Sequence, residues 1–331
     1  MKLLTSEKRF FKANMHCHSV YSDGRLTVEQ IKEEYQKRGY SIVAFTDHEH
    51  IIDNSRLSDE NFLAITATEL TFKEKPTVST SVDKEMKVCH MNFYAIDPHN
   101  DVTPCYDARY DHYCNEEARS LIKFDRPYER QYSIEEINKV IKIAKEKGFL
   151  VCYNNPTWSM EDATHYLGYE NLLALEIYNN GCRDIGNNDE KVFSDMLRAG
   201  KKVFCFASDD NHNKLPFSSP YCDSFGGWIT INAEKLEYGE IIDALKRGNF
   251  YASTGPEIYS LETDGNTVKA KFGKCKKAVL LTKGRRTEDL YANDGEYIEE
   301  CTFSLKETDG FFRLRITDER GKSAYTQPYY L

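Results

Sequence analysis

The segment Asn14-Met15-His16-Cys17-His18-Ser19-Val20-Tyr21-Ser22-Asp23-Gly24 sets two histidines two residues apart. In a strand, residues i and i+2 project to the same side. His16 and His18 are therefore predicted to present two imidazoles together at a strand end, which suits a metal ion. Asp23 follows in a turn. A second cluster, Ile42-Val43-Ala44-Phe45-Thr46-Asp47-His48-Glu49-His50, is an apolar run that stops abruptly in acid and imidazole. Thr68-Glu69 closes the apolar run NFLAITATEL, His90 stands alone in KVCHMNFYAI, and Phe206-Ala207-Ser208-Asp209-Asp210-Asn211-His212 repeats the pattern. Taken singly, each cluster also fits a packed or solvated group, and a lone His90 fits a satisfied core histidine. Taken together, apolar runs that all end in His, Asp or Glu point to a multinuclear metal site. The C-terminal ends of the strands of an α/β barrel are where such sites lie.

Elements that could position these residues are legible. Strands are expected at 12–17, 41–46, 62–68, 88–95, 149–153, 173–178, 202–207 and 226–231, several of them near-continuous apolar runs like strands buried on both faces. Helices are expected between many of them. One starts at Thr27, where T-V-E-Q reads as a capping box, and stops at Gly39; another runs from Ser133, with S-I-E-E, to Gly148. Two more span 189–199 and 236–247, before Gly200 and Gly248. The alternation is that of an α/β barrel or a doubly wound sheet. Residues 71–132 break the rhythm and read as a hairpin followed by an irregular, Tyr-rich insertion, with Tyr106, Tyr110 and Tyr113 as lid candidates or, by preference, part of a loop that packs on the barrel. After Ser253-Thr254-Gly255-Pro256 the helical period vanishes. Short β-type runs separated by turns predict a small all-β domain over 258–331 beside a domain over 1–257.

The 44 basic and 53 acidic residues give a net charge of -9. That disfavours a duplex nucleic-acid or anionic-membrane binder. It leaves an anionic substrate open, because bound metal ions reverse the local potential. No apolar run is long enough to span a membrane, and the first residues lack the apolar stretch of an export signal. The ten scattered cysteines contain no C-x-x-C pair and read as reduced thiols, which goes with a cytoplasmic location.

The order H-x-H…SDG, TDH, a lone Glu, a lone His and a terminal D-x-H resembles the PHP (polymerase and histidinol phosphatase) domain over most of the first 257 residues. The resemblance implies a distorted seven-stranded (β/α) barrel holding two or three divalent ions. It implies that His16, His18, Glu69 and Asp210 hold one ion, that Glu69 bridges to a second held by His90, and that Asp23, His48 and His212 hold a third. The family usually places a His before a Pro as a further ligand of the second ion. Here Asn155 precedes Pro156, and an amide oxygen suits a harder ion than zinc. Leu175-Glu176-Ile177-Tyr178-Asn179, Gly227-Trp228 and the run from Ala244 to Pro256 are similar to the carbamate-hydrolase-like branch, as is the β tail. Zinc, manganese and iron all accept such ligands.

Three further residues are candidates for chemistry. Glu176 is expected to orient a ligand histidine or to satisfy a buried helix-cap or strand-end hydrogen bond, His50 to serve as general acid for the leaving group or to face solvent, and Arg183 to clamp an anionic oxygen or, by preference, to stand as a surface loop arginine. The expected activity is metal-dependent hydrolysis of a small phosphomonoester or nucleotide, with a metal-bound hydroxide as nucleophile. The alternatives are hydrolysis of a carbamate or carboxylic ester at the same site, and a non-catalytic metal-binding module.

Overall fold

The computed structural model describes residues 1–74 and 87–331. Part of the expected insertion, residues 75–86, lies outside them. The first half of the chain runs β1 (Lys2–Leu4), β2 (Arg9–Asn14), α1 (Val28–Gln36), β3 (Tyr40–Phe45), β4 (Leu63–Lys73) and β5 (Val88–Ala95). It continues through α2 (Glu116–Leu121), α3 (Ile134–Glu146), β6 (Phe149–Tyr153), α4 (Ala163–Tyr166), β7 (Ala174–Asn179) and α5 (Glu190–Arg198). Next come β8 (Phe204–Ser208), β9 (Trp228–Ala233), α6 (Tyr238–Arg247) and β10 (Phe250–Ser253). The rest is all strand: β11 (Ile258–Thr263), β12 (Thr267–Cys275), β13 (Lys277–Thr282), β14 (Thr287–Tyr291), β15 (Ile298–Ser304), β16 (Phe311–Thr317), β17 (Ser323–Thr326) and β18 (Tyr329–Tyr330).

Local signals account for the helices. Thr27 and Gln30 close the capping box of α1, and the Ser133 hydroxyl accepts from Glu136 N at the start of α3. Helix α3 buries Ile137, Val140, Ile141 and Ala144, a stripe at helical spacing, against β6. Helix α6 ends on Gly248 in the left-handed region, at φ 73°.

The fold is mixed α/β with one large sheet and one small one. Parallel pairs join β2–β3–β4 and β6–β7–β8, while β5 runs antiparallel to both β4 and β6. The distorted seven-stranded (β/α) barrel that the resemblance implies is corrected: the sheet does not close. The reason is at β2, whose second edge pairs antiparallel with β9. That ladder continues through β10 and β17 into β16, β13 and β14. Strand β8 therefore lies against β9 and β10 without a ladder. A single parallel bridge, Cys17–Asn211, joins the chain beyond β2 to the chain beyond β8.

The large sheet thus runs across residue 257. The small antiparallel sheet, β1-β11-β12-β15, takes its edge strand from the N-terminus. Its inward residues Leu261, Val268, Ala270 and Phe272 share a core with Leu280, Leu314 and Ile316, and Leu4 and Tyr251 join it from before residue 257. All ten cysteines are unpaired thiols and nine are buried, among strands or under loops. Among the described residues, no helix is long and apolar enough to cross a membrane.

The segment after β5 is tied down by a buried charge. The Arg130 side chain is fully buried; its Nε donates to Thr71 O at 3.1 Å, its Nη1 to Cys105 O at 3.0 Å, and its Nη2 to the Glu49 carboxylate. Asp107 accepts from Arg130 N at 2.9 Å. Tyr106 and Tyr110 are buried in this packing, while Tyr113 reaches the cavity described next.

Candidate metal centre

The chain leaves β2 at Asn14, so His16 and His18 lie beyond the strand and not on it. They still converge. His16 Nε2 is 3.1 Å from His18 Nε2, 3.2 Å from Glu69 Oε1 and 3.2 Å from Asp210 Oδ1. Backbone bonds from His18 N to Asn211 O and from Asp210 N to His16 O set this register across the open seam. Glu69 sits within the long buried strand β4, with Oε2 3.2 Å from His48 Nδ1 and 3.4 Å from His18 Nε2, and Oε1 3.3 Å from His90 Nδ1. On the other side, Asp23 Oδ1 faces His212 Nε2 at 3.3 Å, His48 Nε2 at 3.8 Å and His18 Nδ1 at 3.9 Å.

Two donor groups result: His16, His18 and Glu69; and His18, Asp23, His48 and His212. They open on a cavity of about 360 Å³ whose wall also includes His90, Asn155, Trp158, Cys182 and Lys214. The turn that returns Asp23 to the histidines depends on Gly24. A Cβ there would lie 2.4 Å from His18 O, so no side chain fits. Asp210 itself takes a left-handed conformation, φ 50°, which Asp tolerates better than most residues.

These residues fit a set of divalent cations. Asp23 Oδ1, His48 Nδ1 and His90 Nε2 are buried with no hydrogen-bond partner among the described residues, and buried polar atoms are normally paired. The electrostatics agree. Burial opposes protonation of His18, yet Asp210 and Glu69 push it up to about 10. Burial likewise opposes protonation of His16, and Asp210, Glu69 and Glu176 carry it well above the ordinary histidine range. Burial disfavours the charged Glu69 and Asp210, but the surrounding imidazoles hold both well below the ordinary carboxylate range. His48 moves the other way, lowered by burial and by the neighbouring His18. The centre attracts positive charge, and without metal, protons supply it.

A pH dependence follows for protein stripped by a chelator. The raised histidines stabilise the fold fully below their unfolded pKa of 6.5, and this is lost as pH rises through about 10 for His18. The depressed Glu69 stabilises above its unfolded value of 4.5, and this is lost as pH falls. The melting temperature of the stripped protein is expected to be highest between these two values and to fall toward alkaline pH. Adding a divalent ion should remove the alkaline fall. An alkaline decline unchanged by metal would count against the assignment.

The three candidates for chemistry are placed differently. Glu176 accepts from His16 Nδ1 at 2.8 Å, from Asn155 N at 2.8 Å and from Asn179 Nδ2 at 2.8 Å, which fixes the His16 ring with Nε2 toward the other donors. Glu176→Gln is expected to lower metal affinity or turnover by roughly 10–100-fold with the fold intact. Metal titration and circular dichroism would check it. His50 is fully buried behind the cavity wall, with Nδ1 2.6 Å from His48 O and 3.2 Å from Cys114 Sγ. It is not placed to protonate a leaving group. Arg183 is turned away as well. Its guanidinium donates to the carbonyls of Asn180 at 3.2 Å, Pro220 at 3.0 Å and Cys222, so it braces a loop. Asn155 lines the cavity, but its Oδ1 accepts from Ser159 Oγ at 3.2 Å and its Nδ2 lies 3.4 Å from Asp210 Oδ2.

Several participants are not singled out by sequence reasoning. Asn154 Nδ2 donates to Glu69 Oε1 at 2.7 Å, and Asn179 Nδ2 to Asp210 Oδ2 at 3.0 Å. Asp47, within the T-D-H run, is not among the clustered donors; it accepts from Ser19 N, Ser19 Oγ, Ser22 N and Ser22 Oγ at 2.6–3.2 Å and shapes the loop that carries Asp23. Trp158 packs 5.1 Å from the His90 ring and, with the lid candidate Tyr113 4.7 Å from the His48 ring, gives the cavity two aromatic walls. The paired amides at the ends of β6 and β7 are the available sequence signal.

No protein-family model and no curated protein matches the chain. Solved structures with similar architecture exist. A two-domain protein from Bacteroides vulgatus, described as containing a predicted PHP-like metal-dependent phosphoesterase, is 13% identical over 99% of this chain and 96% of its own, with a TM-score of 0.47. An amidohydrolase from Chromobacterium violaceum is 14% identical over 63% of this chain and 93% of its own, with a TM-score of 0.40. Likeness at this level carries nothing about chemistry, which rests on the side chains above.

Proposed function

We propose that this protein is a metal-dependent hydrolase of the PHP type, acting on a small phosphomonoester or nucleotide with two or three divalent ions. The observation that carries the reading is the clustering of His16 and His18 with Asp23, His48, Glu69, His90, Asp210 and His212, the last six of which line one cavity, with buried donor atoms such as His90 Nε2 that make no hydrogen bond among the described residues. Divalent ions in such a centre supply Lewis acidity for the anionic oxygens and lower the pKa of an attacking water. The chain's own residues do the positioning. Glu176 holds the His16 ring, Asn154 steadies Glu69, and Asn179 steadies Asp210. Tyr113 and Trp158 form aromatic parts of the cavity wall.

Those two aromatic walls also favour a second reading, an aryl carbamate or carboxylic ester at the same centre. A panel of phosphomonoesters, nucleoside monophosphates and aryl carbamates, run with zinc, manganese and iron, decides between them. Turnover of carbamates alone would overturn the phosphoesterase reading. Stoichiometric metal with turnover of nothing in the panel would leave the non-catalytic module.

A further inference from the structure

We infer that Lys214 binds an anionic group of the substrate other than the one that reacts, so that the preferred substrate is a phosphoester carrying a second anion, a carboxylate or a further phosphate. The inference rests on the phosphoesterase reading above and names its substrate class.

A second cavity of about 240 Å³ adjoins the metal cavity, and Gly181, Lys214 and Asp223 form walls of both. Lys214 stands at this junction. Its Nζ lies 3.6 Å from Asp23 Oδ2, while Asp23 Oδ1 faces the histidines. The Lys214 side chain is 57% exposed. An exposed ion pair of this kind contributes little, and an ion bound on the histidine side of Asp23 would weaken it further. The ammonium can therefore turn to a substrate anion at small cost.

The neighbouring charges leave that task to Lys214. Arg183 lines the side cavity but not the metal cavity, and its Nε, Nη1 and Nη2 each donate to a loop carbonyl, which holds the guanidinium on the loop. Asp223 accepts from His212 N at 2.8 Å and Asn213 N at 3.1 Å, so its charge is directed at the backbone. Asp184 is exposed. Gly181, which lines both cavities, packs close against the backbone that carries Asp210: a Cβ there would come within 2.7 Å of Asp210 O.

The test compares three probes on the metal-loaded protein: phenyl phosphate, 3-carboxyphenyl phosphate and benzene-1,3-diyl bisphosphate. Wild type is expected to prefer at least one of the two doubly functionalised probes about threefold to fivefold in kcat/KM, the scale of a partly exposed ion pair. Which of them is preferred names the anion. Lys214→Met should remove the preference chiefly through KM, and Lys214→Arg should restore part of it. Equal losses on all three probes, with weaker metal retention, would overturn the inference and make Lys214 a positioning residue for Asp23. Wild type without any preference would also overturn it. Failure of all three probes to turn over, with metal bound, would overturn the phosphoesterase reading and this inference with it.

Discussion

Glu69→Gln is expected to strip the centre of metal and to cost more turnover than the roughly 10–100-fold typical of removing an outer partner. The substitution keeps volume and nearly keeps shape, so the effect isolates charge. Glu69 is where the two halves of the centre meet. One oxygen is 3.2 Å from His16 Nε2 and 3.3 Å from His90 Nδ1, and the other is 3.2 Å from His48 Nδ1. The residue is buried, and burial alone would favour the neutral acid, yet the imidazoles hold it charged. A glutamine would offer an NH₂ to those same nitrogens and could not neutralise a cation. Metal content by elemental analysis, alongside turnover, reads both consequences. A Glu69→Gln protein with full metal would sink the assignment. Asp210→Ala is expected to act in the same direction, since Asp210 Oδ1 is 3.2 Å from His16 Nε2 and 3.1 Å from His18 Nε2.

Arg130→Met is the change with the largest expected effect on stability, about 3–5 kcal/mol, because it leaves the Glu49 carboxylate buried without its partner. Both side chains are fully buried. Burial already lifts Glu49 above the ordinary carboxylate range even beside Arg130. Without the guanidinium its folded pKa rises further, so the charged form is penalised more as pH increases. The loss measured by urea denaturation should therefore be larger at alkaline than at mildly acidic pH. The double variant Arg130→Met, Glu49→Gln should be less destabilised than Arg130→Met alone at alkaline pH. Additive losses would show that the pair does not couple. Because Arg130 also holds Thr71 O and Cys105 O, its loss should loosen the segment that carries Tyr113 toward the cavity.

Local features follow from the amino-acid order alone. The capping box at Thr27, the Ser133 N-cap, the stop at Gly248 and the apolar stripe of α3 come from nearest-neighbour physics. So does the placing of acids and imidazoles at the ends of apolar runs, which is why the ligand candidates are legible in the residue order. Direction is a property of the tertiary structure. Strand alternation predicts that His16 and His18 meet on one strand face, but the strand ends at Asn14, and they meet through backbone bonds to Asp210 and Asn211. Arg183 and His50 have the right chemistry and point elsewhere, held by backbone carbonyls. Lys214 and Asn154, unremarkable in sequence, line or brace the centre. The barrel stays open because β2 finds its second partner in β9, whose neighbours belong to the C-terminal strands. Periodicity records which face of an element is buried. It does not record which distant segment completes a side chain's hydrogen bonds or a strand's free edge, and those long-range pairings decided the open sheet and the membership of the site.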